Sequence, residues 1–267
     1  MTHPLFDLSG RVALVSGAAQ GMGRAMAIGF AEAGADVMIC DINTEGVKAT
    51  AEHIQSLGRR AVPVTCDITD VEQIRAMFAQ LDREFGKIDI LGNVAGPAKL
   101  YKPEEIDLVV MDKIIHGLIV ARFCCCQEAG RRMLAAGKGS IINFSSIGGV
   151  TALGRGNFAY SVGMGGVAQM TRELSTEWSG RGVRVNAVLP AQVINPGLEE
   201  RMKVDPNLES MFLRGIPIGR LGRPDDIKGL AIFLGSDASS WITGAIIPMD
   251  GGNLAQNAGG TAGPRKA

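Results

Sequence analysis

The chain has 267 residues, 46% of them hydrophobic and 20% charged, with 27 basic side chains against 27 acidic ones. Such a length and composition fit one large α/β domain with a sizeable core. Zero net charge argues against nucleic acid or an anionic membrane surface as the main partner. No segment approaches the ~20 apolar residues of a membrane span, and the start of the chain lacks a basic stretch followed by an apolar core, so a cytosolic protein is predicted.

Apolar strand-like runs alternate with amphipathic runs of helical length. Strands are predicted near Val12–Ser16, Asp36–Cys40, Val62–Cys66, Ile88–Asn93, Ser140–Phe144, Val183–Val188 and Ala245–Met249. Helices fall between them at Gly23–Ala33, Thr44–Leu57, Val71–Phe85, Leu108–Ala135, Asn157–Gly180 and Pro224–Gly235. The alternation implies one domain, residues 1–252, built on a doubly wound parallel sheet of about seven strands with helices on both faces. Residues 191–223 are too long for an ordinary connection and rich in Pro, Met and charge, which predicts a lid over a site. Residues 253–267, rich in Gly and Ala, are predicted to form a flexible tail. Cys124, Cys125 and Cys126 are consecutive, so on a helix they diverge by ~100° each and cannot converge on a metal; core filling is their expected role, and no metal site is predicted.

The run from Ser16 to Gly23 follows a strand and opens a helix. Gly17, Gly21 and Gly23, with Gln20 and Met22 between them, allow a tight turn and the close approach of a pyrophosphate to the helix N-terminus. Asp41 stands directly after the second strand, 18 residues beyond Gly23. There a carboxylate accepts hydrogen bonds from an adenosine ribose and repels a 2′-phosphate, so NAD(H) is expected rather than NADP(H).

These motifs, with those that follow them in order, make the chain resemble a classical short-chain dehydrogenase/reductase from about Leu8 to Gly252. The later ones are Cys66 to Thr69 on the adenine side, Asn93 to Gly96, Ile141 to Ser146, Tyr160, Val185 to Pro190 and Thr243 to Gly252. The resemblance implies a Rossmann fold, cofactor contacts from Gly17, Gln20, Gly21, Met22, Gly23, Asp41, Ile42, Asp67, Ile68, Asn93, Ala95, Tyr160, Pro190 and Val193, and catalysis by Ser146 and Tyr160. It also marks departures. The family's lysine falls on Met164, four residues beyond Tyr160 and one helical turn on, and no lysine occurs between Lys138 and Lys203. Its asparagine falls on Leu118. Pro190 is followed by Ala191 where glycine is usual, Asn195 replaces a threonine, and the loop from Ser146 to Tyr160 is one residue longer than the commonest spacing.

A free phenol ionises near pH ~10, and keeping Tyr160 neutral at pH 7 when phenolate is needed costs ~4 kcal/mol. The penalty falls on alcohol oxidation, because in carbonyl reduction the tyrosine starts protonated and donates. Arg122, one turn beyond Leu118, and Arg155, before Tyr160, are the nearest candidate cations, and each is expected to be a solvated surface side chain.

Two functions stand open. One is an NAD(H)-dependent oxidoreductase that interconverts a secondary alcohol and a ketone on a small or medium-sized substrate. The other is a non-catalytic subunit or nucleotide-binding partner of a catalytically intact homologue. The substrate pocket is expected along Pro97, Gly148, Leu153 and the 191–223 segment, mostly apolar. A homodimer or homotetramer, or a hetero-oligomer with such a homologue, is expected from apolar residues on the two long helices: Ile114, Ile115, Ile119, Val120 and Phe123 on the first, Val167, Met170 and Leu174 on the second.

Overall fold

Strand β1 (Val12–Ser16) is apolar throughout, and its side chains leave alternately to two different cores. Ala13 and Val15 join Val37 and Ile39 of β2 (Asp36–Asp41) on one face; Leu14 joins Met38 and Cys40 on the other. Period-2 alternation with both faces covered makes a strand look uniformly hydrophobic in sequence. The computed structural model, described for residues 3–256, contains one parallel sheet of seven strands in the order β3-β2-β1-β4-β5-β6-β7. The remaining strands are β3 (Ala61–Thr65), β4 (Ile90–Asn93), β5 (Gly139–Phe144), β6 (Val183–Pro190) and β7 (Ile246–Met249).

Helices α1 (Gly21–Glu32) and α2 (Thr44–Ser56) fill the first core through Met26, Phe30 and Ile54. Helix α3 (Val71–Phe85) fills the second through Ile74, Phe78 and Leu81, held at its start by the Asp70 carboxylate, which accepts from Glu72 and Gln73 N–H, and closed by left-handed Gly86. The single helix predicted over 108–135 is α4 (Leu108–Ile115) and α5 (Ala121–Ala136), joined by a π turn at His116–Val120. There the Ala121 N–H reaches back five residues to the His116 carbonyl, a geometry that periodicity cannot announce. Cys124, Cys125 and Cys126 of α5 all lie in the second core as unpaired thiols, with the Cys126 thiol pushed up to about 12 by burial.

Helix α6 (Phe158–Trp178) is tied to β5 by two polar contacts. Asn143 Nδ2 donates to Thr171 Oγ1 at 3.0 Å, and the Ser145 hydroxyl donates to the Met164 carbonyl at 2.8 Å. The 191–223 segment has regular structure of its own: α7 (Pro196–Val204), capped by Asn195 accepting from Leu198 N–H at 3.0 Å, and α8 (Leu208–Leu213). Leu198, Leu208, Phe212, Ile216 and Leu221 give it a small separate core. Helix α9 (Ile227–Gly235) returns to the first face. Past β7 the chain makes a turn in which Asn253 Nδ2 donates to the Gly215 carbonyl at 2.6 Å, so the part of the predicted tail up to residue 256 packs on α8's end. Residues 257–267 of that tail lie outside the described residues. No helix among the described residues is long and apolar enough to cross a membrane.

Candidate functional site

Strand order reverses at β1, which pairs with β2 on one side and β4 on the other. At such a switch point the loops leaving the strand ends diverge and open a crevice. Here the two loops are pinned by the Ser16 hydroxyl, which accepts from Val94 N–H at 3.0 Å and Ala95 N–H at 3.1 Å. A cavity of about 850 Å³ runs from this point over the C-terminal ends of the strands to the α7–α8 segment.

One end of the cavity is a glycine cradle. Gly17 has φ +70°, and a Cβ there would press on the Ala95 backbone; a Cβ on Gly23 would run into the Gly17 carbonyl. Gly21, at φ +57°, has open space where a Cβ would stand. It begins α1, whose N-cap Gln20 makes no side-chain hydrogen bond and whose first turn has no acidic residue. With no side-chain cap among the described residues, the first N–H groups and the positive end of the helix dipole face the cavity, which suits a pyrophosphate. Asp41 closes this end: its carboxylate accepts from Ala19 N–H at 3.1 Å and Asn43 N–H at 3.0 Å and still fronts the cavity. Asp67 is aimed by the Thr69 N–H and hydroxyl, both donating to Oδ1.

At the other end Ser146 and Tyr160 share one wall. Ser146 ends the β5 loop and accepts from Gly148 N–H at 3.1 Å. Burial pushes the Tyr160 phenol above its ordinary pKa; a hydrogen bond from Ser146 and the positive charge of Arg122 pull the other way. Met164 is buried one turn on and lines the same cavity.

Arg122 departs from its expected place on the surface. It is only 2% exposed, and its guanidinium donates to the carbonyls of Ala95 at 2.9 Å, Val94 at 2.8 Å and Phe144. These carbonyls end β4 and β5, so the charge sits where backbone acceptors converge, against Gly96 and under the cavity floor. Desolvation lowers its pKa and the neighbouring Tyr160 raises it, but a guanidinium keeps its proton at any ordinary pH. Periodicity puts Arg122 on α5 without telling which face meets the strand ends.

Of the predicted cofactor residues, Gly17, Gln20, Gly21, Met22, Gly23, Asp41, Ile42, Asp67, Ile68, Ala95, Tyr160, Pro190 and Val193 all line the cavity. Asn93 does not: it is 1% exposed and donates from Nδ2 to the Arg122 carbonyl at 3.0 Å and to Asn143 Oδ1 at 3.2 Å, a brace beneath the site. Leu118 is also off the cavity, wedged between Gly96 and Gly163 on the π turn. Pro97 and Leu153 line the expected substrate end, whereas Gly148 is covered by Leu153 and Ser161. Asn195 does double duty, since its Nδ2 donates to the Val193 carbonyl at 2.9 Å while its Oδ1 caps α7. Gln192 lines the cavity with a buried amide oxygen that no described group satisfies, an acceptor left for a bound molecule. Neither Gln192 nor Arg201, which fronts the cavity from α7, stands out in the sequence. Among the described residues no group of His, Cys, Asp and Glu is placed to hold a metal ion.

The reversed strand order over an uncapped helix start, with a carboxylate at the end of β2, defines the dinucleotide-binding class of α/β protein. The chain belongs to the short-chain dehydrogenase/reductase family. A family model described as enoyl-(acyl carrier protein) reductase matches residues 17–253. The D-threitol dehydrogenase of Mycolicibacterium smegmatis is 38% identical over 92% of this chain and 94% of its own. The NAD-dependent glycerol dehydrogenase of Listeria innocua is 37% identical over 92% of this chain and 95% of its own. A gluconate 5-dehydrogenase from Burkholderia cenocepacia, solved with NADP and tartrate, superimposes with a TM-score of 0.88 at 29% identity, covering 95% of this chain and 98% of that one. By name these relatives are dehydrogenases of alcohols and sugar acids, the glycerol enzyme being NAD-dependent and the gluconate enzyme solved with NADP.

Proposed function

We propose that the chain is an NAD(H)-dependent oxidoreductase interconverting a secondary alcohol and a ketone, with Ser146 and Tyr160 at the reacting oxygen and Arg122 as the cation that Met164 does not provide. The observation that carries this reading is that Ser146, Tyr160 and the buried guanidinium of Arg122 line one cavity. Its three carbonyl partners neutralise none of it formally, and among the described residues no carboxylate lies within ion-pair distance of it.

The residues divide the work simply. In reduction the Ser146 hydroxyl donates a hydrogen bond to the substrate oxygen, and Tyr160, neutral at pH 7, gives that oxygen its proton. In oxidation Tyr160 must first lose a proton, which the Arg122 charge favours and burial opposes. The nicotinamide cofactor supplies the hydride acceptor or donor. The cradle of Gly17, Gly21 and Gly23 would hold its pyrophosphate, and Gln192 offers an acceptor near Pro190 and Val193. Asp41 supports NAD(H) over NADP(H), because a 2′-phosphate would meet a carboxylate already held by two backbone donors.

A test compares Arg122→Lys, which keeps the charge, with Arg122→Gln, which keeps donors without it. The lysine variant should retain the wild-type pH profile for alcohol oxidation, and the glutamine variant should shift its rise to higher pH. Equal profiles would remove Arg122 from the reading. Leu118 and Met164, both apolar and buried, support the second reading, a subunit that binds nucleotide without turnover. Tight NADH binding without reduction of any carbonyl compound in a broad panel, except alongside an intact homologue, would favour it.

A further inference from the structure

Two more arginines, Arg155 and Arg201, line the cavity beyond Tyr160, and neither has a counterion among the described residues. Arg155 stands between Gly154 and Gly156 in a run of three left-handed residues, and is the one non-glycine with positive φ among the described residues, at +57°. Its guanidinium stacks on the Phe212 ring of α8 at 5.0 Å, so loop and lid hold it together. Arg201, in the last turn of α7, fronts the same cavity. The neighbouring acid of α7, Glu200, is taken by Lys203 at 2.6 Å. Among the described residues no carboxylate comes within ion-pair distance of Arg155 or Arg201.

The charge around the cavity is thus divided. Its acidic side chains, Asp41 and Asp67, both lie at the cradle end, whereas Arg122, Arg155 and Arg201 lie at the Tyr160 end. Arg122 is committed to three carbonyls below the floor, whereas Arg155 and Arg201 are exposed to the cavity. Burial, and after it the positive charge of Arg201, lower the pKa of Arg155, so the two guanidinium groups on the exposed rim of the cavity repel each other. An anion between them would relieve the repulsion and satisfy both forks. The pyrophosphate of a cofactor is not that anion, because its place is at the start of α1, at the opposite end of the cavity.

We infer that Arg155 and Arg201 form an anion subsite, and that the alcohol or ketone handled at Tyr160 carries a carboxylate or phosphate group at its far end. This rests on the oxidoreductase reading for the chemistry, but the binding it requires does not depend on turnover.

Two matched pairs test it: 4-oxocyclohexanecarboxylate against its methyl ester, and dihydroxyacetone phosphate against dihydroxyacetone. Each is titrated calorimetrically into the Tyr160→Phe protein saturated with NADH, and assayed for turnover in the wild type. The anionic member of at least one pair should bind about tenfold or more tightly than its neutral partner, the pair identifying carboxylate or phosphate. Arg155→Gln and Arg201→Gln should each erase most of that preference while leaving the neutral partner and NADH alone unchanged, and Arg201→Lys should restore part of it. Equal binding of charged and neutral members in both pairs would overturn the subsite. So would an equal loss of NADH affinity in the two glutamine variants without substrate, which would assign the arginines to the cofactor. Preferential anion binding without turnover would keep the subsite and overturn the oxidoreductase reading instead.

Discussion

At Tyr160 three influences meet: burial raises the phenol's pKa, whereas Ser146 and Arg122 lower it. With burial dominant, the phenolate is scarce at neutral pH, so alcohol oxidation should keep climbing through the neutral range into the alkaline one, while ketone reduction stays flat across the neutral range. Steady-state rates in both directions between neutral and alkaline pH check this, and an oxidation rate that levels off near neutrality would contradict it. Met164→Lys would place an ammonium one turn from the phenol and should raise oxidation more than reduction. Tyr160→Phe should abolish turnover in every background. Asp41→Ala should narrow the difference between NADH and NADPH affinity, measured by titration with both; tighter NADPH binding by the unaltered protein would contradict the cofactor assignment. Cavity-lining residues brought together by sequence-local geometry, such as Gly17 to Gly23 and Asp41, were legible from spacing alone. Arg122 was not, because its role depends on carbonyls that β4 and β5 bring together from more than 20 residues away.

The strand and helix pattern was readable because nearly every element follows a single period. The exceptions are where two segments had to be fitted to each other. The π turn at His116–Val120 shifts the helix by one residue so that Leu118 faces Gly163 and α5 then presents Arg122 to the strand ends. Within 191–223, Pro and charge suggested irregular chain, yet an Asn195 cap and a few apolar residues suffice for two short helices. The cradle is the least forgiving element. Gly23→Ala would put a methyl group onto the Gly17 carbonyl, so the turn must open; a loss of roughly 2–3 kcal/mol of stability and of most NADH affinity is expected, read by denaturant unfolding and titration. Arg122→Gln should also destabilise, by about 1–3 kcal/mol for each carbonyl left unpaired.

On the scale of the whole molecule, the helices that pack beside the site keep apolar side chains on the outside. Ile114, Val167 and Leu174, expected to be surplus, are used up inside the subunit, but Leu108, Val109, Val120 and Phe123 remain exposed on α4, the π turn and α5, as do Phe158 and Val162 on α6. A patch of this kind predicts self-association: light scattering at micromolar concentration should return a multiple of 28.1 kDa, and Phe123→Asp should shift the population toward that unit mass. A single subunit mass for the unaltered protein would contradict it.

The contact between Asn253 and Gly215 has a consequence in time. A chain made from its N-terminus holds the cradle glycines and Asp41 well before Asn253, which fixes the end of α8, has been added. On the proposed function, the residues of the nucleotide cradle are thus made first and their cover last, and NADH would serve as a folding template for the sheet before the lid closes. Refolding in NADH should accordingly speed the recovery of sheet structure more than the recovery of lid protection in hydrogen exchange.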